Sequence, residues 1–237
     1  MYRYELHLHT SESSHCGRVP AADQVKTYRA LGYAGICVTD HLHNTQIGHF
    51  DVPHDWNAII DRYLAGYRAA KAAGDAMGLD VIFGVELRFP ENDSDYLIYG
   101  IDEQWLYGHP WITDMNHQTF FDRYHDEVLI IHAHPYRYND VVYYDCVHGL
   151  EIINCNPRHD SRNPLALKLA EEHPQLFRTV GSDAHQIGDE GRAAILVDER
   201  IRDSHRLKDV IAAGRYKNWC CPEFEQILRE SEANRHV

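Results

Sequence analysis

Apolar residues along this chain fall into short runs rich in valine and isoleucine, separated by longer stretches with helical spacing. The runs RYELHLH (3–9), GICVTDH (35–41), VIFGVEL (81–87), YLIYGID (96–102), VLIIHAHP (128–135), LEIINCN (150–156) and RTVGSDAH (178–185) read as strands, and AAILVDE (193–199) is a candidate eighth. Helical patterns lie between them. PAADQVKTYRAL (20–31) opens on proline and stops at Gly32, the usual punctuation. DWNAIIDRYLAGYRAAKAAGDAM (55–77) is long and alanine-rich, and others fall near 116–126, 161–172, 204–214 and 222–235. Strands alternating with helices imply a mostly parallel sheet with right-handed crossovers. The link RFPENDSD between 81–87 and 96–102 is too short for a parallel return, which needs about a dozen residues; it predicts a hairpin. The expectation is an α/β fold, a distorted (β/α)7 TIM-like barrel forming a single domain over 1–237, with C-terminal helices in 204–235.

Polar residues break this pattern at the strand ends. In YELHLHT, His7 and His9 share one strand face, and Leu6 and Leu8 the other. Two imidazoles beside an apolar core need partners for their nitrogens, which either solvent or a metal ion can supply. Other strands end in Thr39-Asp40-His41, Val85-Glu86, His132-Ala133-His134-Pro135 and Ser182-Asp183-Ala184-His185. Any one of these reads equally well as a helix cap or a satisfied core imidazole. Together they point to one metal centre, because chemistry in barrel enzymes gathers at the carboxyl ends of strands. Imidazole and carboxylate ligands suit Zn²⁺, Mn²⁺ or Fe²⁺. Cys16, beside His15, is the one thiol close to the cluster in sequence.

Bulk properties narrow the function. A length of 237 residues allows a large core, and 44% hydrophobic with 25% charged residues is ordinary for a globular protein. A net charge of -13 makes nucleic acid an unfavoured partner, since its binders normally carry a basic stripe. No leader-like pattern opens the chain and no run of ~18 apolar residues occurs, so the expectation is a cytoplasmic protein without a membrane span. The cysteines at 16, 37, 146, 155, 220 and 221 show no CxxC spacing and read as reduced structural thiols. No GxSxG elbow or Cys–His nucleophile pattern is present. Oligomeric state stays open.

ELHLHTS, VTDH, GVE, HAHP and GSDAH, in that order, resemble the motifs of the PHP (polymerase and histidinol phosphatase) superfamily over about residues 5–192. That resemblance implies a distorted seven-stranded barrel holding two or three divalent ions. His7, His9 and Asp183 would hold the first, Glu86 would bridge first and second, and His134 would bind the second. His15, His41 and His185 would build the third. Related phosphatases carry a further histidine near the fourth strand; here the segment reads DYLIYGIDEQ, with Asp102 as the candidate replacement and His132 as the alternative. The implied reaction is phosphate-ester hydrolysis by a hydroxide shared between two ions, with Glu86, Asp183 and His134 at the catalytic centre. Arginine forks match phosphate, and Arg137, Arg158 with His159, and Arg192 all follow strand ends as candidate substrate contacts. Asp40, His43 and His159 are candidate general acids. A small soluble phosphomonoester is the leading substrate. The alternatives are a phosphodiester or nucleic acid, a phosphotyrosine protein, a C–N or lactone bond, or a metal-binding module without turnover.

Overall fold

The structure, a computed structural model, describes residues 1–233. The elements are β1 (Tyr2–Glu5), α1 (Ala21–Ala30), β2 (Gly35–Val38), β3 (His41–Leu42), α2 (Asn44–Ile47), α3 (Trp56–Tyr63), α4 (Ala65–Met77), β4 (Asp80–Phe83), β5 (Val85–Arg88) and β6 (Asp95–Tyr99). There follow α5 (Glu103–Gly108), α6 (His117–Tyr124), β7 (Leu129–Ala133), β8 (Gly149–Asn154), α7 (Asn163–Glu172), β9 (Phe177–Gly181), β10 (Ala193–Val197), α8 (Ser204–Ala212), β11 (Lys217–Cys220) and α9 (Pro222–Ala233). Residues 234–235 of the last predicted helix lie outside the described residues.

The fold is mixed α/β. One sheet has the order β11-β10-β1-β2-β4 and the other β3-β5-β6-β7-β8-β9. In the first, β1, β2 and β4 are parallel, while β10 runs antiparallel to both its neighbours, β1 and β11. In the second, β5 and β6 form the hairpin that the short RFPENDSD link predicts, and β6 also runs antiparallel to β7. The ladders among the described residues form two sheets and not the closed ring expected from the sequence. The cause lies where predicted strands break. The run at 35–41 splits at Thr39-Asp40, where Thr39 Oγ1 reaches Leu8 and Asp40 accepts from the Thr10 backbone. The run at 81–87 splits at Gly84. Register nevertheless carries across both breaks, with Val38 opposite Phe83 and His41 opposite Glu86. At another edge Leu8 bridges in parallel to Ala184, linking the chain beyond β1 to the chain beyond β9.

The long helix predicted at 55–77 is two helices, α3 and α4. The Ser13 hydroxyl enters between them, donating to the Tyr63 carbonyl and accepting from Gly66 N–H at 2.8 Å. An inserted side chain of this kind interrupts a helical ladder. Strand β11 carries no clear alternation in sequence, as suits an edge strand with an exposed lysine. Leu6 packs with Tyr4, Ile131 and Ile195, and Leu8 packs with Val25, Tyr28 and Ile36, so the apolar face of YELHLHT is buried as its pattern requires. All six cysteines are free, and no described helix is long and apolar enough to cross a membrane.

Candidate metal centre

The strand ends converge on two carboxylates. Glu86, fully buried on β5, faces His7 Nε2 at 3.2 Å and His134 Nε2 at 3.1 Å through Oε1. Its Oε2 faces His9 Nε2 at 3.3 Å and His41 Nδ1 at 2.8 Å. Asp183 Oδ1 lies 3.4 Å from His7 Nε2, 3.2 Å from His9 Nε2 and 3.3 Å from His185 Nδ1. Candidate ligand atoms fall into four overlapping groups: His7, His9 and Asp183; His7, Glu86 and His134; His9, His41 and His185; and His41, Glu86 and Asp95. His7 Nε2, His9 Nε2, His41 Nδ1, Glu86 Oε2 and Asp183 Oδ1 are buried and make no hydrogen bond. Buried polar atoms normally find partners. Five facing one another without any fit a divalent cation, and their imidazole and carboxylate chemistry suits Zn²⁺, Mn²⁺ or Fe²⁺.

The surroundings aim these atoms inward. His7 Nδ1 pairs with Glu151 Oε1 at 2.9 Å; the tautomer that donates there leaves the Nε2 lone pair facing Glu86 and Asp183. Glu151 Oε2 accepts from the His134 backbone and from Asn154, both at 2.9 Å. His185 Nδ1 sits 2.9 Å from the Asp183 carbonyl, and His9 Nδ1 sits 3.3 Å from Ser14 Oγ. His134 and Asp183 both adopt positive φ, 30° and 51°, just past β7 and β9. Such backbone is costly for residues with a Cβ and clusters at functional sites. Gly181 gives room for this arrangement, because a Cβ there would meet Glu151 Oε1 at 2.1 Å. Burial opposes charge at His7, but Asp183, Glu151 and Glu86 raise its pKa well above the usual value. Against burial, His41 and His7 hold Glu86 well below the carboxylate range, and His7 and Arg137 do the same for Asp183.

The model of the PHP domain family matches residues 5–186, more than half the chain, and a PHP-associated model matches 160–216. This chain belongs to the PHP domain family. A DNA polymerase III of the PolC type from Latilactobacillus sakei is 26% identical over 140 residues, 59% of this PHP chain but only 8% of the polymerase. Among solved structures, a two-domain protein from Bacteroides vulgatus containing a predicted PHP-like metal-dependent phosphoesterase aligns with a TM-score of 0.63 at 14% identity. That alignment covers 92% of this chain and 64% of the other. A chain from Bifidobacterium adolescentis assigned as a metal-dependent phosphoesterase has a TM-score of 0.51 at 14% identity, over 87% of this chain and 94% of its own. An amidohydrolase from Chromobacterium violaceum with bound sulfate has a TM-score of 0.51 at 15% identity, over 79% and 89%. At these identities the structural likeness speaks for the fold.

Several candidates sit elsewhere in this PHP domain. Asp102 is exposed and caps α5 by accepting from Trp105 N–H at 2.8 Å, away from the centre. The strand's other end supplies a carboxylate instead, since Asp95 opens β6 and lies 3.8 Å from His134 Nε2. The hairpin is the reason: β6 runs antiparallel to β5 and β7, so its first residue, not its last, reaches the carboxyl ends of its neighbours. His132 is buried against Tyr96, with neither ring nitrogen hydrogen-bonded and in none of the ligand groups. His15 is exposed and stacks on His49 at 4.1 Å.

The arginines divide in the same way. The Arg137 side chain is only 7% exposed and donates to Asp183 Oδ2 and Asn154 Oδ1 at 2.7 Å each. Arg158 pairs with Asp189, and Arg192 with Glu223 and the Cys155 carbonyl. His159 is exposed beside the Tyr138 hydroxyl at 3.3 Å. Asp40 spends its carboxylate on Thr10 and Ser14, although burial lifts its pKa to about 6. His43 caps α2 through Nδ1, and burial lowers its pKa to about 4, which keeps it neutral at pH 7. Glu151 was not among the sequence candidates. A lone carboxylate within the apolar run LEIINCN was the available signal.

Proposed function

We propose that this PHP domain is a metal-dependent phosphoesterase that hydrolyses a small soluble phosphate monoester in the cytoplasm. The observation that carries the reading is the set of five buried ligand atoms without hydrogen bonds around Glu86 and Asp183. Two or three divalent ions, Zn, Mn or Fe, would be held by His7, His9, His41, Glu86, His134, Asp183 and His185, with Asp95 beside His134 in place of Asp102. When bound, such ions lower the pKa of coordinated water and stabilise charge on phosphate oxygens. Glu86 serves both sides of the centre, one oxygen toward His7 and His134 and the other toward His9 and His41. Glu151 keeps the His7 proton on Nδ1, and Arg137 fixes the orientation of Asp183. Arg158, His159 and Arg192 are the proposed rim contacts for the ester. The chain's charge of -13 favours a small substrate over a nucleic-acid polymer. We read the two sheets as one barrel-like domain; the register shared across the strand breaks and the Leu8–Ala184 bridge support this.

The test is phosphate release from a panel of monoesters (histidinol phosphate, nucleoside monophosphates, sugar phosphates, a phosphotyrosine peptide) and a chromogenic diester. The protein is loaded with Mn²⁺ or Zn²⁺, and Glu86→Ala serves as the blank. Release above the blank from one monoester class is the expected result. No release from any monoester by protein shown to hold metal overturns it in favour of diester or carbonyl hydrolysis.

A further inference from the structure

A polar pocket of about 170 Å³ opens beside the Asp95 end of the centre. The link RFPENDSD supplies Arg88, Asn92 and Asp93 to its walls, the start of α2 supplies His43 and Asn44, and the turn at 112–114 supplies Thr113. Two of these residues also reach the centre. Arg88 donates to Asp95 through Nε and Nη2, at 2.7 Å each, and Asp95 shares a ligand group with His41 and Glu86. The His43 ring stands 5.6 Å from the His41 ring. A group held in the pocket would therefore lie one side chain away from that end of the centre.

The lining mixes donors and acceptors. Gln46 N–H donates to His43 Nδ1 at 3.1 Å, so the neutral ring carries its proton on Nε2 and is a donor there. Asn44 spends its amide nitrogen on Asp114 Oδ1 at 2.9 Å, which leaves its carbonyl as an acceptor. Asn92 accepts from Ser94 N–H at 2.9 Å, which leaves its amide nitrogen as a donor. Thr113 is only 1% exposed, and its hydroxyl makes no hydrogen bond among the described residues, although buried hydroxyls normally find a partner. The Arg88 charge is matched by Asp95, and Asp93 adds a negative one. A second phosphate or carboxylate would meet no surplus of positive charge here, whereas a hydroxyl both donates and accepts. At ~30 Å³ per water-sized group the pocket holds about six non-hydrogen atoms, the size of glycerol and less than that of a nucleoside.

We propose that this pocket receives the alcohol part of the ester and selects a short, uncharged polyol. This rests on the phosphoesterase reading above and names its substrate class, a glycerol-sized polyol phosphate. Thr113 and Asn92 determine the specificity, the first through its unpartnered hydroxyl and the second through its amide nitrogen. An alkyl ester of the same length would leave both without a partner, which is how a site built around hydroxyls rejects an analogue that lacks them.

The test compares phosphate release from glycerol phosphate and from propyl phosphate, which has the same carbon skeleton and no free hydroxyl, by protein loaded with Mn²⁺ or Zn²⁺. In the wild type, kcat/KM should favour glycerol phosphate by about tenfold or more. Thr113→Val keeps the side-chain volume and removes the hydroxyl, and Asn92→Ala removes the amide at the more open side. Each should lower the glycerol-to-propyl ratio by about threefold or more. Equal kcat/KM for the two esters in the wild type, a ratio that neither variant lowers, or release from other monoesters but from neither of these overturns the polyol pocket and leaves the phosphoesterase reading standing. Release from no monoester at all by protein shown to hold metal overturns that reading, and the role of the pocket with it.

Discussion

At the centre, Glu86 and Asp183 face five imidazoles across 2.8–3.4 Å, and several of the facing atoms make no hydrogen bond. At the rim, Arg158 and Arg192 are already held by Asp189 and Glu223. Leaving a buried polar group unpaired costs about 1–3 kcal/mol. Several such atoms facing one another at one point fit a cation that completes them all. At the rim the charges are already paired, so an ester reaching Arg158 or Arg192 would have to share them with those carboxylates. Arg137 follows a strand end like the rim arginines, yet its guanidinium is buried on Asp183 and Asn154 and belongs with the centre.

The comparison breaks most sharply at Glu86. Glu86→Gln keeps the volume but removes the charge shared by both halves of the centre. Turnover of whichever ester is hydrolysed should fall about 10³-fold, equivalent to ~4 kcal/mol of barrier, with an unchanged circular dichroism spectrum. Full turnover in this variant would place the chemistry elsewhere.

Arg137→Ala and Arg158→Ala form the next contrast. Loss of a partner that orients a ligand typically weakens metal binding ~10–100-fold. That is the expectation for Arg137→Ala, measured as zinc affinity against a chelator. Arg158→Ala should leave affinity unchanged and alter turnover by less than about 10-fold. Equal effects on metal affinity would erase the distinction between centre and rim.

A smaller effect concerns pH. In the ion-free chain the carboxylates Asp183, Glu151 and Glu86 hold a proton on His7 although burial opposes it. An ion must displace that proton, so affinity should weaken as pH falls, by about tenfold per unit for one proton released. Calorimetry in two buffers of different ionisation heat counts the proton, and zero release would contradict the assignment. For the ion-free fold the sign is opposite. The folded pKa exceeds the unfolded value near 6.5, so the His7 contribution is complete below ~6.5 and is lost as pH rises through the folded value.

His132 sets the smallest contrast, on β7 two residues before His134. Burial first, then His117 and His134, push its pKa well below the usual value. It is neutral when folded, while the unfolded chain takes a proton below ~6.5, so its contribution to stability falls as pH drops below that value. His132→Phe should raise stability by about 1 kcal/mol at neutral pH and flatten the acid limb of a denaturation series. Loss of bound metal in this variant would instead make His132 a ligand.

Most of the site was legible because a strand has a two-residue period and barrel chemistry lies at strand ends. His7, His9, His41, Glu86, His134, Asp183 and His185 come together from motifs spread over most of the chain. Asp95 was missed because its strand was read outward, toward Asp102, although the predicted hairpin reverses it. His15 was read as joining the cluster, but its ring is exposed against His49 and its backbone N–H is held by the side chain of Gln46, a residue outside the motif.

The chain's own pattern determines which residue types stand at which strand ends, the hairpin at RFPENDSD and the apolar face behind His7 and His9, since these follow from local geometry and side-chain chemistry. Only the tertiary structure decides that Ser13 divides the long helix, that Thr39-Asp40 and Gly84 divide two strands so that the ladders form two sheets, and that Arg137 is used by Asp183. Each of those outcomes is a hydrogen bond or close approach between segments far apart in sequence, and no periodicity records which distant group will be there to accept.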